Sequence, residues 1–390
     1  MLFDDEDRDR LALSAVVFVV LFAQMVLYPG IADLVEALGA SPELDAGAVF
    51  ITAEFAAYIL FAGFWGALSD SSGKRVPFVV VASVVASAAY LGVALAPAAG
   101  LPFEGVLVFR FVQGAATVGA FSLALTTLMD LGGGHGRNMG AAGVSIGAGV
   151  GLGAPVGGVL TEIDALGPLY VASALLAAAA FLCITVEDRV PTGERGLGRV
   201  LGRFVSTPSL AVPYAFGFVD RLTAGFFALV GTFYFRETFG LGAAETGVTL
   251  AFFFVPFALL QYPLGRLSDR VGRVPPVVVG SLLYGVAVFS VSLAPSLTTA
   301  RAAMLGVGVL GALVAPATMA LVTDISPPEG RGAAMAGFNV AGSLGFLIGA
   351  VGGAFLADTY DFSVSFGVVG ASEVVVAVVA LPFLLRLGVR

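Results

Sequence analysis

The chain has 390 residues, 58% of them hydrophobic and 12% charged, with a mean hydropathy of +0.99 and a formal net charge of −8. Soluble domains carry about 25% charged residues, so this composition excludes a protein that stays in water by itself. Cys183 and His135 are each the sole residue of their kind, and His135 falls in a loop between apolar runs, which leaves no disulfide, no cysteine-based zinc site and no Ser-His-Asp triad.

In chain order, apolar runs near the ~20 residues a helix needs to cross a bilayer core predict twelve spans. They lie near 11–31, 48–69, 77–97, 105–130, 139–161 and 168–187, then 211–235, 245–268, 275–295, 300–324, 334–357 and 363–385. The preceding segment 1–10 (MLFDDEDRDR) is mostly acidic and the first run is longer than a signal-peptide core, so that run reads as a permanent helix. The first six spans form one unit, 11–187, and the last six another, 211–390. The longest polar loop, 188–210, links them.

The basic residues set the orientation. With the N-terminus inside, Arg8, Arg10, Lys74, Arg75, Arg137, Arg189, Arg195, Arg199, Arg203, Arg266, Arg270, Arg273, Arg331, Arg386 and Arg390 all fall in cytoplasmic segments. The positive-inside rule then places both termini in the cytoplasm, and a plasma-membrane location follows. The opposite face is acidic, and lysine occurs once against 18 arginines. Excess surface acid is a halophile's lever, so a salt-loving host is expected.

Polar residues inside spans are functional candidates, because a charge near the bilayer centre costs at least ~2.5–3.5 kcal/mol on insertion scales. Gln24 and Tyr28 lie in the first span and Glu54 in the second. In the fourth, Arg110 either snorkels outward or pairs with Glu54, and Gln113 follows it. The seventh holds Asp220 and Arg221 side by side near its middle. Neighbours in sequence diverge by about 100° around a helix, so each needs its own partner, and Glu54 or Glu373 could serve Arg221. Gln261 and Tyr262 follow in the eighth span, Asn339 in the eleventh and Glu373 in the twelfth. Phe216, Phe218, Phe226, Phe227, Phe252, Phe253, Phe254 and Phe257 read mainly as lipid contacts. Some of them, Phe226 among these, are candidates to line an apolar cavity with Gln24, Tyr28, Gln113, Gln261, Tyr262 and Asn339.

Two stretches repeat. GALSDSSGKRVP (66–77) recurs as GRLSDRVGRVP (265–275), offset by 199 residues at Asp70 and Asp269, and Asp130…Arg137 recurs as Asp324…Arg331, offset by 194. Two echoes at nearly one offset indicate duplicated halves. The same offset puts Leu21 and Phe22 opposite Asp220 and Arg221, so that pair is no part of the shared scaffold. Gly66 and Gly265 are expected at close helix approaches, and Gly73 and Gly272 where φ is positive. Lys74 and Arg273 are positioned to pair with Asp130 and Asp324. Such loops would clamp the halves on the cytoplasmic side.

The duplicated G-x-L-S-D-x-x-G-[KR] resembles the signature of the major facilitator superfamily. Arg110-Phe-Val-Gln113-Gly114 resembles a motif of its proton-linked members. Gly149, Gly153, Pro155, Gly157 and Gly158 resemble its antiporter motif, with the proline one place late; their bland reading is helix packing. The resemblance covers the whole chain and implies an all-α polytopic fold of two pseudo-symmetric six-helix bundles. It also implies a secondary transporter, not an enzyme, exporting an amphiphilic organic substrate against protons. Import of a small nutrient is the alternative, and a ligand-binding sensor or scaffold the rival of another class. The expected associates are a small-molecule substrate, the proton and the lipid bilayer. No nucleic acid, cofactor or metal is expected, and a monomer is.

Overall fold

A computed structural model describes residues 5–132, 135–188, 208–326 and 331–386. Residues 1–4, the linker residues 189–207, and Arg390 lie outside the described residues.

Among the described residues every regular element is helical, as lipid requires where no water can satisfy backbone groups. The first unit holds α1 (Asp5–Met25), α2 (Ile31–Ala37), α3 (Leu44–Phe61), α4 (Phe64–Ser72), α5 (Val76–Leu95), α6 (Phe103–Asp130), α7 (His135–Ile163) and α8 (Gly167–Cys183). The second holds α9 (Ala211–Phe226), α10 (Thr232–Phe239), α11 (Ala243–Val271), α12 (Val274–Ser292), α13 (Leu297–Ile325), α14 (Arg331–Thr359) and α15 (Phe362–Arg386). Among the described residues ten helices, counting α3 with α4 and α9 with α10 as one each, are long and apolar enough to cross a membrane. The remaining two expected spans fall on α1, whose acidic first turns precede an apolar run, and on the 17-residue apolar α8; neither is among those ten. The protein is a multi-pass, all-helical membrane protein.

The ends follow local rules. Proline opens α5, α8 and α12, where its missing N–H has no helical partner to lose. The first span stops at Met25 rather than 31, because the Tyr28-Pro29-Gly30 stretch cannot continue an α-helix. A five-residue π-turn, Phe227–Gly231, joins α9 to α10.

Met1–Leu197 and Gly198–Arg390 form two compact units. In the first, α1 packs on α7, α8 and α6, α3 on α6, and α5 on α6 and α8. In the second, α9 packs on α14, α15 and α13, α11 on α13, and α12 on α13 and α15. Span for span, the two sets of partners are the same. Duplicated sequence has therefore produced duplicated packing, and each unit is a six-helix bundle of one kind.

Candidate functional site

The first unit carries a buried polar cluster whose position is set by a glycine. A Cβ built on Gly114 of α6 would lie 2.3 Å from the Glu54 carbonyl oxygen of α3, so the two helices meet backbone to backbone at this level. One turn earlier on α6, Arg110 forms an ion pair with Glu54, both 1% exposed. Gln113 accepts from the Arg110 guanidinium at 2.6 Å and donates to Glu54 Oε1 at 3.2 Å, while Gln24 of α1 donates to the same oxygen at 3.3 Å. The Arg110 guanidinium also lies 4.3 Å from the Phe50 ring centroid, a cation–π contact. Tyr28 is buried within electrostatic reach of Glu54 and Arg110. Of the two arrangements open for Arg110, the structure has the ion pair.

The second unit is built differently at the equivalent place. The 194-residue offset carries Gly114 to Gly308, whose Cβ would lie 2.4 Å from the Phe253 carbonyl oxygen. The close crossing is kept, but Met304 and Val307 stand where Arg110 and Gln113 would be, and Phe253 stands where Glu54 would be. All three are buried. The carboxylates of this unit lie elsewhere, at Asp220 on α9 (5% exposed) and Glu373 on α15 (0%). Thr223 Oγ1 donates to Glu373 Oε1 at 3.2 Å. Asp220 and Glu373 both act electrostatically on the buried Tyr284 of α12. Asp220 Oδ1 makes no hydrogen bond, while the Tyr284 hydroxyl lies against Thr223 and Ser281 against Glu373.

Arg221 corrects the expectation of a partner at Glu54 or Glu373. It is exposed, Glu54 is held by Arg110, and Glu373 takes the Thr223 hydroxyl. The roughly 100° step between neighbours turns Arg221 outward as Asp220 turns in. Its guanidinium still acts on Asp220 electrostatically, but no ion pair joins Asp220 or Glu373 to a cation among the described residues.

The phenylalanines are also corrected. Phe216, Phe226, Phe227, Phe253 and Phe254 are buried, Phe218 and Phe257 half-buried, and only Phe252 of the eight is exposed. The span Pro208–Phe239 is 83% buried in its most apolar window, so its rings face neighbouring helices rather than lipid. Phe226, Phe227, Tyr234, Phe253 and Phe366 form one aromatic cluster around the π-turn, its ring contacts edge-on except the tilted Phe227–Phe253 pair. The remaining cavity candidates stand apart from both polar clusters. Gln261 is half-buried, Asn339 is exposed, and Tyr262 lines a shallow surface groove with Arg266 and Arg270.

At the repeated loops, Gly73 and Gly272 adopt φ of 64° and 88°, the left-handed region that favours glycine. Arg273 donates to Asp324 at 3.0 Å and also pairs with Asp269. Partial burial lowers the Arg273 pKa, and hydrogen bonds to Asp269 and Asp324 more than offset it, so the net shift is upward. In the first unit Asp130 pairs with Arg75 and not with Lys74, which is exposed. Lys74 is one residue inserted after the glycine; counted back from the Val-Pro that opens the next helix, Arg75 is the equivalent of Arg273. The Arg75 backbone N–H further donates to Asp188 at 2.9 Å. Asp70 is exposed and makes no contact of this kind among the described residues. Gly66 has no atom within 4 Å of a built Cβ and Gly265 meets Pro316 at an ordinary 3.4 Å, so neither marks a tight approach inside its own bundle.

Arg137 pairs with Asp7 at 2.8 Å, and Arg331 donates to the Thr323 carbonyl at 3.3 Å. The buried Arg10 bonds Asn138 at 2.9 Å and the Gly132 carbonyl at 2.9 Å, tying the start of α1 to the α6–α7 connection. In α7, built Cβ atoms on Gly149, Gly153 and Gly157 would meet α1 or the turn after it, the last at 2.0 Å from the Val26 carbonyl oxygen. Gly158 is buried and Pro155 half-buried in the same helix.

The Major Facilitator Superfamily model matches residues 13–235 and 215–388. The chain belongs to this family. An uncharacterised MFS-type transporter of Methanocaldococcus jannaschii is 29% identical over 163 residues, 42% of each chain. The class G tetracycline resistance protein of Vibrio anguillarum is 30% identical over 239 residues, 59% of this chain and 58% of that one. The chain thus spans about half the length of the curated relatives it matches. Among solved structures, the nucleoside transporter NupG is similar in fold with a TM-score of 0.78 at 12% identity, over 96% of this chain and 99% of that one.

Residues absent from the sequence reading were Thr223, Ser281 and Tyr284, which surround Glu373, and Asn138, which Arg10 binds. Tyr284 carried the same signal as Tyr28, a phenol inside an apolar span. Serines and threonines did not stand out, because they bond their own helix so commonly.

Proposed function

We propose that the chain exports amphiphilic organic compounds in exchange for protons, with Asp220 as the coupling carboxyl and Glu373 as its companion. One observation carries this reading: Glu54 has the Arg110 guanidinium as a built-in counter-charge, whereas Asp220 and Glu373 have none paired to them inside their bundle. A buried charge without a partner costs several kcal/mol, and a proton is the smallest partner a carboxyl can take up. It is also one that is released when a conformational change alters the surroundings. Alternating access around a midplane site, the usual cycle of such repeats, supplies that change. The similarity to a tetracycline resistance protein supports export and an amphiphilic substrate.

Purified protein in proteoliposomes, given a pH gradient and a chemically broad panel of compounds, tests this directly. Asp220→Asn is expected to abolish pH-driven accumulation while preserving substrate exchange at zero gradient. A variant that still concentrates substrate against its gradient would remove Asp220 from the coupling role. Accumulation in the same direction as proton flow would make the protein an importer.

A further inference from the structure

We infer that the polar cluster of the second unit is a sodium site formed by Asp220, Thr223, Ser281, Tyr284 and Glu373. Three helices deliver these side chains, and a close crossing sets their approach. A Cβ built on Gly285 of α12 would lie 2.2 Å from the Gly370 carbonyl oxygen and 3.2 Å from Glu373 Cβ. That contact presses α12 against α15 and brings Ser281 and Tyr284 up to the Glu373 carboxyl. From the other side α9 contributes Asp220 and Thr223, and Thr223 already bonds Glu373.

The donor set is entirely oxygen, two carboxyls and three hydroxyls. Oxygen-only sets select hard cations rather than the metals that imidazole and thiolate prefer. Asp220 Oδ1 has no hydrogen-bond partner, and Glu373 Oε2, Ser281 Oγ and the Tyr284 hydroxyl make none of good geometry, although Ser281 lies against Glu373 and Tyr284 against Thr223. All five side chains are at most 5% exposed. An unmade hydrogen bond on a buried group costs about 1–3 kcal/mol, so a bare Asp220 oxygen beside a second buried carboxyl and three hydroxyls points to a shared ligand. The described residues hold no group of three or more carboxylate, imidazole or thiolate ligands, and calcium takes about six to eight oxygen ligands. Five side chains, two of them carboxyls, suit a monovalent ion.

The first unit supplies the contrast. There a guanidinium fills the place of the cation, and Glu54 accepts from three side chains. The second unit has the acid without the base. The charged and titratable groups acting on the cluster are Asp220, Glu373, Tyr284 and, from its outward position, Arg221. This assignment rests on the coupling reading only in sharing its locus, and adds a metal ion to the proton as an occupant of the same oxygens.

The test is thermal unfolding of the full-length protein in detergent at constant ionic strength, with choline chloride replaced stepwise by sodium or potassium chloride. Sodium is expected to raise the unfolding temperature with a saturating dose dependence, and potassium to need at least tenfold more. Glu373→Gln and Tyr284→Phe are each expected to raise the half-saturating sodium concentration tenfold or more. Should Glu373→Gln fail to fold, Tyr284→Phe, which keeps the ring and removes one ligand oxygen, carries the test. An unfolding temperature that responds equally to sodium, potassium and choline overturns the site, as does an unchanged sodium response in the variants that fold. Absence of sodium binding beside loss of pH-driven transport in Asp220→Asn defeats the sodium site alone. Sodium binding beside intact pH-driven transport in that variant defeats the coupling reading alone.

Discussion

Glu54 and Arg110 are each 1% exposed and bonded to each other. A buried pair of this kind adds little net stability, yet removing one member strands the other. Arg110→Met is therefore expected to destabilise the protein by about 3–5 kcal/mol, seen as a large fall in unfolding temperature. Adding Glu54→Gln to it should recover much of the loss. A double-mutant cycle in which the two losses simply add would show that the residues are not energetically coupled. The candidates Glu54, Arg110, Gln113, Gln24 and Tyr28 were visible in the sequence, because each is a polar side chain in an apolar run. The Arg110–Glu54 pair was one of two arrangements open from the sequence, but the gathering of Gln24, Gln113 and Tyr28 around it was hidden, since it depends on Gly114 letting two helices meet. The choice of Arg75 over Lys74 was hidden for a different reason. Aligning the repeats on their aspartates places Lys74 opposite Arg273, whereas the start of the following helix, which fixes where the side chain points, aligns Arg75.

Helix positions were legible because the hydrophobic runs have the length a bilayer imposes, and the duplicated motif made two bundles the economical reading. Which faces pack was less legible. Phenylalanine suits lipid and protein interior equally, so composition could not place the α9 rings inside, and helix-on-helix packing did. Glycine spacing was ambiguous in the same way, and here the structure separates positions. A Cβ on Gly157 would fall 2.0 Å from the Val26 carbonyl oxygen, while Gly143 on the same helix has no atom within 4 Å. Gly157→Ala must push α7 away from the end of α1 and is expected to destabilise by about 1–3 kcal/mol, as overpacking does. Gly143→Ala should be neutral or mildly stabilising, because alanine is the better helix former. Equal unfolding temperatures for the two variants would show that the α1–α7 contact does not restrain the bundle.

At the scale of the whole molecule, the sequence distributes charge more sharply than any single helix does. Its arginines gather in the segments that alternate with acidic ones, and Arg75, Arg137, Arg273 and Arg331 all stand at the same ends of their spans, beside Asp130 and Asp324 or their loops. Translocation disfavours positive loops near span ends far more than negative ones, so the end bearing these arginines should face the cytoplasm. Ser71 lies at that end and Ser41, in the connection between α2 and α3, at the other; both are exposed. Cys183 is buried, and replacing it with alanine gives a background without thiols. In that background a membrane-impermeant maleimide should label Ser41→Cys in intact cells and leave Ser71→Cys unlabelled. Inside-out vesicles should reverse the pattern. Labelling of Ser71→Cys from outside an intact cell would invert the orientation, and with it the direction in which an export reading requires substrate to move.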